Sequence, residues 1–172
     1  MKRNVLVFAS LILCLGLAAL AADAVNFTGT WALDKSKSDP IRMGRPDAQP
    51  MDIDITLTIN HTGNDFAVAR KISMGGQDRN LDLKYTLDEQ ENTNPSAFGR
   101  PGSGTAKSKA KLDNNQVVIR ATQKIETPNG DTREISSTEV YSLSDDGRVL
   151  TITTTRTTPN GDRTSKQVFG KK

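Results

Sequence analysis

Residues 112–131 read LDNNQVVIRATQKIETPNGD and residues 143–162 read LSDDGRVLTITTTRTTPNGD, so one unit is written twice and each copy closes on TPNGD, at 127–131 and at 158–162. The pentapeptide is turn chemistry. Proline presets φ at the first turn position, asparagine tolerates the next, and glycine accepts the left-handed conformation that ends a three-residue hairpin loop with a bulge. Thr127 and Asp131, and again Thr158 and Asp162, then flank the loop as the first strand pair. Each copy is one down-and-up hairpin. Hairpins repeated in chain order form an antiparallel meander, with both TPNGD turns on one rim.

Working outward, the same period of two runs through MDIDITLTIN at 51–60, where Met51, Ile53, Ile55, Leu57 and Ile59 point one way and Asp52, Asp54, Thr56 and Thr58 the other. No stretch from Ala22 onward carries the 3.6-residue period of an amphipathic helix, and the many threonines suit a pleated surface. Strands are predicted at 26–33, 51–60, 65–73, 79–87, 105–112, 116–126, 132–143, 149–157 and 163–170, nine in all, with long polar loops at 34–50 and 88–104.

Residues paired across a hairpin must share a face, which allows a register test. With Thr127 opposite Asp131, Val117 meets Tyr141, Ile119 meets Glu139, Ala121 meets Ser137 and Gln123 meets Ile135. A turn at Asp146-Gly147 brings Tyr141 to Ile152 and Leu143 to Leu150. With Thr158 opposite Asp162, Ile152 meets Val168 and Thr154 meets Lys166. Turns at Asn114-Asn115 and Thr62-Gly63 carry the phase through the earlier hairpins. The expectation is an all-β fold, one antiparallel up-and-down meander of about nine strands closing into a barrel. Counting strand directions puts loop 34–50 at the rim opposite the TPNGD turns and loop 88–104 at their own.

The amino terminus sets a compartment. MKRN is basic, the run VLVFASLILCLGLAAL is apolar and shorter than a membrane span, and small residues follow, which reads as a secretory signal cut after Ala21. One domain, 22–172, remains, with no integral membrane segment and a secreted or periplasmic location. Losing Lys2 and Arg3 leaves 21 bases against 20 acids, too small a surplus for a generic nucleic-acid binder. The one cysteine, Cys14, leaves with the signal, so disulfide and thiol chemistry go with it.

The mature chain opens on NFTGTWALD, with Phe27, Trp31 and Leu33 on the inner face and Gly29 leaving room for close backbone approach. Gly29 and Trp31 resemble the glycine-x-tryptophan motif of lipocalins and related calycin barrels, and the chain is similar to bacterial lipocalin-like secreted domains. That resemblance implies a barrel holding a small ligand, with the tryptophan covering the closed end against a basic side chain from near the last strand. Arg156 and Arg163 are the local candidates. The family's threonine-aspartate-tyrosine segment is absent.

The inner phase also carries polar residues: Arg70, Gln123, Ser137, Glu139, Arg156 and Lys166. Inward charges need partners or water. By the register above, Glu139, Thr154 and Lys166 form one row and Ser137, Arg156 and Thr164 the next toward the TPNGD rim, while Leu143, Leu150, Tyr141, Ile152 and Val168 fill the other half. Such a lumen suits an amphipathic ligand, with Arg70, Tyr85, Glu139, Tyr141, Arg156 and Lys166 as candidate ligand-binding residues. An internal ion pair of Glu139 with Arg156 or Lys166, in a barrel too small to hold anything, is the competing reading. Met43, Arg45 and Pro46 in one long loop, and Phe98, Arg100 and Pro101 in the other, are candidate lids. Lys107, Lys109 and Lys111, beside Arg120 and Lys124, form a basic outer face. Catalysis has little to work with, since the single histidine, His61, falls in a tight turn and no metal-ligand set or catalytic triad assembles around it. The expectation is a non-enzymatic binder of a small hydrophobic or amphipathic molecule, without cofactor. An envelope-associated interaction module, acting through loops or basic face, is the alternative.

Overall fold

A computed structural model describes residues 25–42, 48–96, 104–126, 132–158 and 161–172. The proposed signal and the tips of the candidate lids, Met43, Arg45, Pro46, Phe98, Arg100 and Pro101, lie outside the described residues. Ten strands follow one another: β1 Gly29–Leu33, β2 Ile53–Thr62, β3 Asp65–Met74, β4 Gln77–Thr86, β5 Asp88–Pro95, β6 Thr105–Asp113, β7 Gln116–Glu126, β8 Thr132–Leu143, β9 Val149–Thr158 and β10 Gly161–Lys171. They form one antiparallel sheet in the order β4-β3-β2-β1-β10-β9-β8-β7-β6-β5, an up-and-down meander in which β1 also pairs with β10. The all-β meander expected from the hairpin unit is the observed fold.

The tenth strand is β5, inside the segment read as a loop. DEQENTNP has no apolar alternation to mark it, and its cues are instead its partners. Its outward Glu91 lies opposite Lys109 in register and reaches Lys107 at 2.8 Å. Its inward Asn92 and Asn94 face the lumen beside Ser108 and Ala106. One overlooked strand reverses the direction of everything before it. The chain after β1 therefore heads for the rim at which β7 and β9 end, and the β3–β4 turn and the end of β5 lie at that rim too. This rim is the mouth.

The base is apolar and aromatic. Phe66 packs edge-on against Phe27 (5.8 Å between centroids, 89°) and Tyr141 (5.4 Å, 83°), and Trp31, Phe169, Leu150 and Val117 are fully buried around them. His61 belongs to this plug. It is the penultimate residue of β2, tilted against Phe27 at 5.7 Å and edge-on to Phe66 at 5.6 Å, because Thr62 pairs with Asp65 and the turn is Gly63-Asn64, one residue later than expected. Burial holds the His61 imidazole below its usual pKa.

Trp31 is clamped at the base. Its indole Nε1 donates to the Phe27 carbonyl at 3.1 Å, and Lys171 Nζ stands over its ring at 5.2 Å. The basic partner is thus Lys171, placed by the Trp31–Lys171 register pair, rather than Arg156 or Arg163. Gly29 explains the motif's first position. Its φ of 152° is outside the range a side chain favours, and a β-carbon there would lie 2.9 Å from Lys171 Cε.

The β7–β8 and β8–β9 registers agree pair for pair with the reading from sequence, Ile119 facing Glu139 and Tyr141 facing Ile152. The β9–β10 register does not. Thr158 pairs with Gly161 rather than Asp162, so Ile152 meets Gln167 and Leu150 meets Phe169. A one-residue slip exchanges the faces of a strand. Here it turns Phe169 and Gln167 inward and moves Lys166 outside. The gain is physical: a phenylalanine is buried and an ammonium is left in water, whereas the expected register would do the reverse.

Candidate functional site

The polar residues gather in the half of the lumen nearer the mouth. Arg70 on β3 reaches across the barrel to β8, where its Nη2 lies 3.4 Å from Glu139 Oε2 and donates to Tyr141 Oη at 3.3 Å. Tyr141 Oη donates in turn to Glu139 Oε2 at 2.9 Å. Tyr141 joins the two halves of the lumen, its ring in the aromatic plug and its hydroxyl in the polar cluster. The side chains of Arg70 and Glu139 keep 13% and 17% exposure, so the pair is largely removed from water without being sealed. Burial opposes the charge on Arg70, but Glu139, followed by Tyr141 and Tyr85, outweighs it and the guanidinium pKa rises. Burial, then the Glu139 charge, pushes the Tyr85 and Tyr141 phenols upward, so both remain protonated donors at neutral pH.

The ion pair expected between Glu139 and Arg156 or Lys166 is made by Arg70. Arg156 faces the lumen next to Ser137 and is half-buried, and burial lowers its pKa while Glu139 works the other way and Arg163 adds to the lowering. Lys166 is corrected. It pairs with Thr153 on the outer face, is exposed, and its backbone N–H donates to Asp39 Oδ2 at 2.7 Å. The inner rows consequently run Glu139, Thr154, Ser165 and Ser137, Arg156, Arg163. Arg163 was missed as a site residue because its face depends on the slipped register. Of the six candidate residues, Arg70, Tyr85, Glu139, Tyr141 and Arg156 share the lumen.

Beside this cluster is a cavity of about 40 Å³, bordered by Arg70, Tyr85, Asn94, Gln123, Ser137 and Glu139. It exists because the facing wall is built of small side chains, Ala106 and Ser108 on β6 and Ala121 on β7. The sequence shows this as small residues alternating with Lys107 and Lys109, a signal hidden behind the lysines. The void has room for roughly three waters, far below the roughly 300–1,000 Å³ of a drug-sized ligand site.

The cavity adjoins the sheet's one seam. Strands β4 and β5 are neighbours but share no ladder, and asparagine side chains take its place: Asn94 accepts from Lys84 N–H at 2.7 Å and donates to Lys84 O at 2.8 Å, and Asn92 accepts from Thr86 N–H at 3.1 Å. Arg79 Nη2 adds a bond to the Ser96 carbonyl at 3.1 Å.

On the outside, acids offset the basic face of β6: Lys107 pairs with Glu91 of β5 at 2.8 Å, and Lys111 with Asp113, at the end of β6 itself, at 2.7 Å. Among the described residues no group of three or more His, Cys, Asp or Glu side chains is placed to hold a metal ion, and no helix is long and apolar enough to cross a membrane.

Comparison with known proteins extends the fold and little else. No family model and no curated protein sequence matches the chain. Among solved structures it is similar to the zebrafish ileal bile acid-binding protein complexed with cholic acid, at 15% identity and a TM-score of 0.58, covering 85% of this chain and 98% of that one. It is also similar to secretory abundant heat soluble protein 4 from Ramazzottius varieornatus, at 16% identity and a TM-score of 0.53, covering 85% and 94%. The likeness is one of fold, an antiparallel up-and-down β-barrel.

Proposed function

We propose that this chain is exported, loses residues 1–21, and serves outside the cytoplasm or in the periplasm as a binding protein for a small hydrophobic or amphipathic molecule taken up in the mouth half of the barrel. The observation that carries the reading is the division of the lumen: an aromatic plug closes the base, and above it Arg70, Tyr85 and Glu139 present hydrogen-bonding groups and charge to a cavity that small side chains keep open, with Tyr141 bonded to Glu139 and Arg156 beside Ser137 in the same half. A solved barrel of the same type is complexed with cholic acid, an amphipathic acid, which supports the ligand class. The cavity of about 40 Å³ is too small for a whole ligand. Uptake therefore requires the mouth to widen, and the β4–β5 seam, held by side chains, is the place where the sheet yields most easily. The reading is non-enzymatic. The alternative of an interaction module acting through the basic face has less support, because β5 supplies that face with counter-charges.

The test is mass spectrometry of organic extracts from natively purified protein, paired with titration of the emptied protein with cholate and with a medium-chain fatty acid. A bound small molecule, or saturable binding of either probe, is the expected result. Clean extracts together with no binding of either probe overturn the proposal.

A further inference from the structure

Among the residues whose burial is described, the charged side chains on inward-facing strand positions of the mouth half are Arg70 on β3, Arg79 on β4, Arg156 on β9 and Arg163 on β10, against one carboxylate, Glu139. Arg70 and Glu139 are already engaged with one another and with Tyr141. Arg79 is directed to the Ser96 carbonyl at the seam. Arg156 and Arg163 stand directly opposite one another across the β9–β10 ladder, one half-buried and one exposed at the mouth. Like charges directly opposite across a ladder destabilise a sheet, and burial and Arg163 both pull the Arg156 pKa down while Glu139 opposes them. The pair gains from an anion between its two planar forks, a geometry suited to carboxylate and phosphate oxygens. Further round the rim, with only β1 between β2 and β10, β2 and β3 present Ile53, Ile55, Ile72 and Met74 inward, and Ile41 and Met51 pack against the same apolar set. Among the described residues, one arc of the mouth is cationic and another apolar.

We propose that the ligand is an anionic amphiphile whose oxyanion head is held between Arg156 and Arg163 at the mouth, with its apolar body against the β2–β3 wall, above the Arg70–Glu139 contact. This rests on the carrier reading and narrows it. It makes Arg163 a specificity-determining residue, and it leaves the small cavity below to water.

The test compares two probes with similar aromatic bodies on the natively purified protein: anilinonaphthalene sulfonate, an anion, and N-phenylnaphthylamine, which is neutral. The anion is expected to bind more tightly, with an affinity that falls as salt is raised. Arg163→Gln, at an exposed position that leaves folding undisturbed, is expected to weaken the anion by about tenfold, the effect of removing one charge-assisted partner, while leaving the neutral probe unchanged. Arg163→Lys should restore part of the loss, and Arg156→Gln should act in the same direction as Arg163→Gln. Displacement of the sulfonate by decanoate and by decyl phosphate then shows which oxyanion is preferred. Anion binding that is indifferent to Arg163→Gln, or an equal loss for both probes, overturns the anion seat and leaves the carrier reading standing. Failure of both probes, together with clean extracts, removes both.

Discussion

Arg70 and Glu139 meet across the lumen with a separation of 3.4 Å, and Arg70 Nε is buried without a hydrogen-bond partner, so the pair is incompletely satisfied. Such a contact contributes little over an apolar filling of the same shape, while breaking one side of it is costly. Glu139→Gln is expected to lower stability by roughly 3 kcal/mol, since it leaves the Arg70 charge buried, and the double change Arg70→Met with Glu139→Leu should recover most of that. Urea unfolding measures both, and a single change that costs nothing would show that the cluster has no structural weight. His61 gives a pH dependence of definite sign. Its folded pKa lies below the reference value of 6.5 because it is buried, so the unfolded chain binds the proton first. Stability is full above about pH 6.5 and falls with acid through the window beneath it, by up to about 1.4 kcal/mol per pH unit for one proton. His61→Phe should flatten that part of a stability-against-pH curve, and an unchanged slope would assign the acid sensitivity elsewhere. Neither residue's surroundings were fully legible. Parity placed Glu139, Tyr141 and Arg70 inside, but which cation crosses the lumen to Glu139 is decided by barrel curvature, and a turn displaced by one residue moved His61 from solvent into the core.

Strand identity was legible wherever apolar residues alternate, and β5 shows where that signal ends. Its inward positions are Asn92 and Asn94, polar groups doing the work of a backbone ladder toward β4, so hydrophobic periodicity is silent there. The same feature makes the seam testable. Asn94→Ala removes both bonds to Lys84 and is expected to cost about 1–3 kcal/mol locally. The backbone amides of Lys84 and Thr86 should then exchange with solvent faster, while those of β8 and β9, far round the barrel, keep their protection. Uniform loss of protection would mean that the seam is no separate opening unit. The β9–β10 slip shows a second limit. Two identical pentapeptides have flanks paired differently, Glu126 with Thr132 in one hairpin and Thr158 with Gly161 in the other, because the second strand must also bury Phe169 and bring Lys171 over Trp31. Turn chemistry proposes a register, and the burial pattern of the strand disposes of it. A sequence comparison of the two faces of 163–170 would have found this, since the alternative face puts Arg163 and Phe169 inside together.

At the scale of the whole molecule, the barrel is completed by strands from opposite ends of the chain. Trp31 pairs with Lys171 and Leu33 with Phe169, and the segment after β1 continues the contact through Asp34 N–H to the Val168 carbonyl at 2.8 Å and Ser38 Oγ, which accepts from Val168 N–H at 2.9 Å. All the hairpins can form locally, but this closure requires the chain ends to meet, and the entropy of so long a loop must be met before any contact offsets it. Folding is therefore expected in the millisecond-to-second range of all-β topologies. Trp31 is the reporter, as the single tryptophan and one that is fully buried only when β1, β2 and β10 surround it. Its emission should shift to the blue in the slowest major phase of refolding, with the same rate constant as the last gain in far-ultraviolet circular dichroism. Lys171→Ala, which removes the cation over the ring and the side chain against Gly29, should speed unfolding more than it slows folding, because that contact forms last. If Trp31 reaches its native emission well before the ladder is complete, β1 docks on β2 as an early local hairpin and the meeting of the chain ends is not the barrier. The base plug would then be an independent folding unit, against which the mouth could open without unfolding the rest.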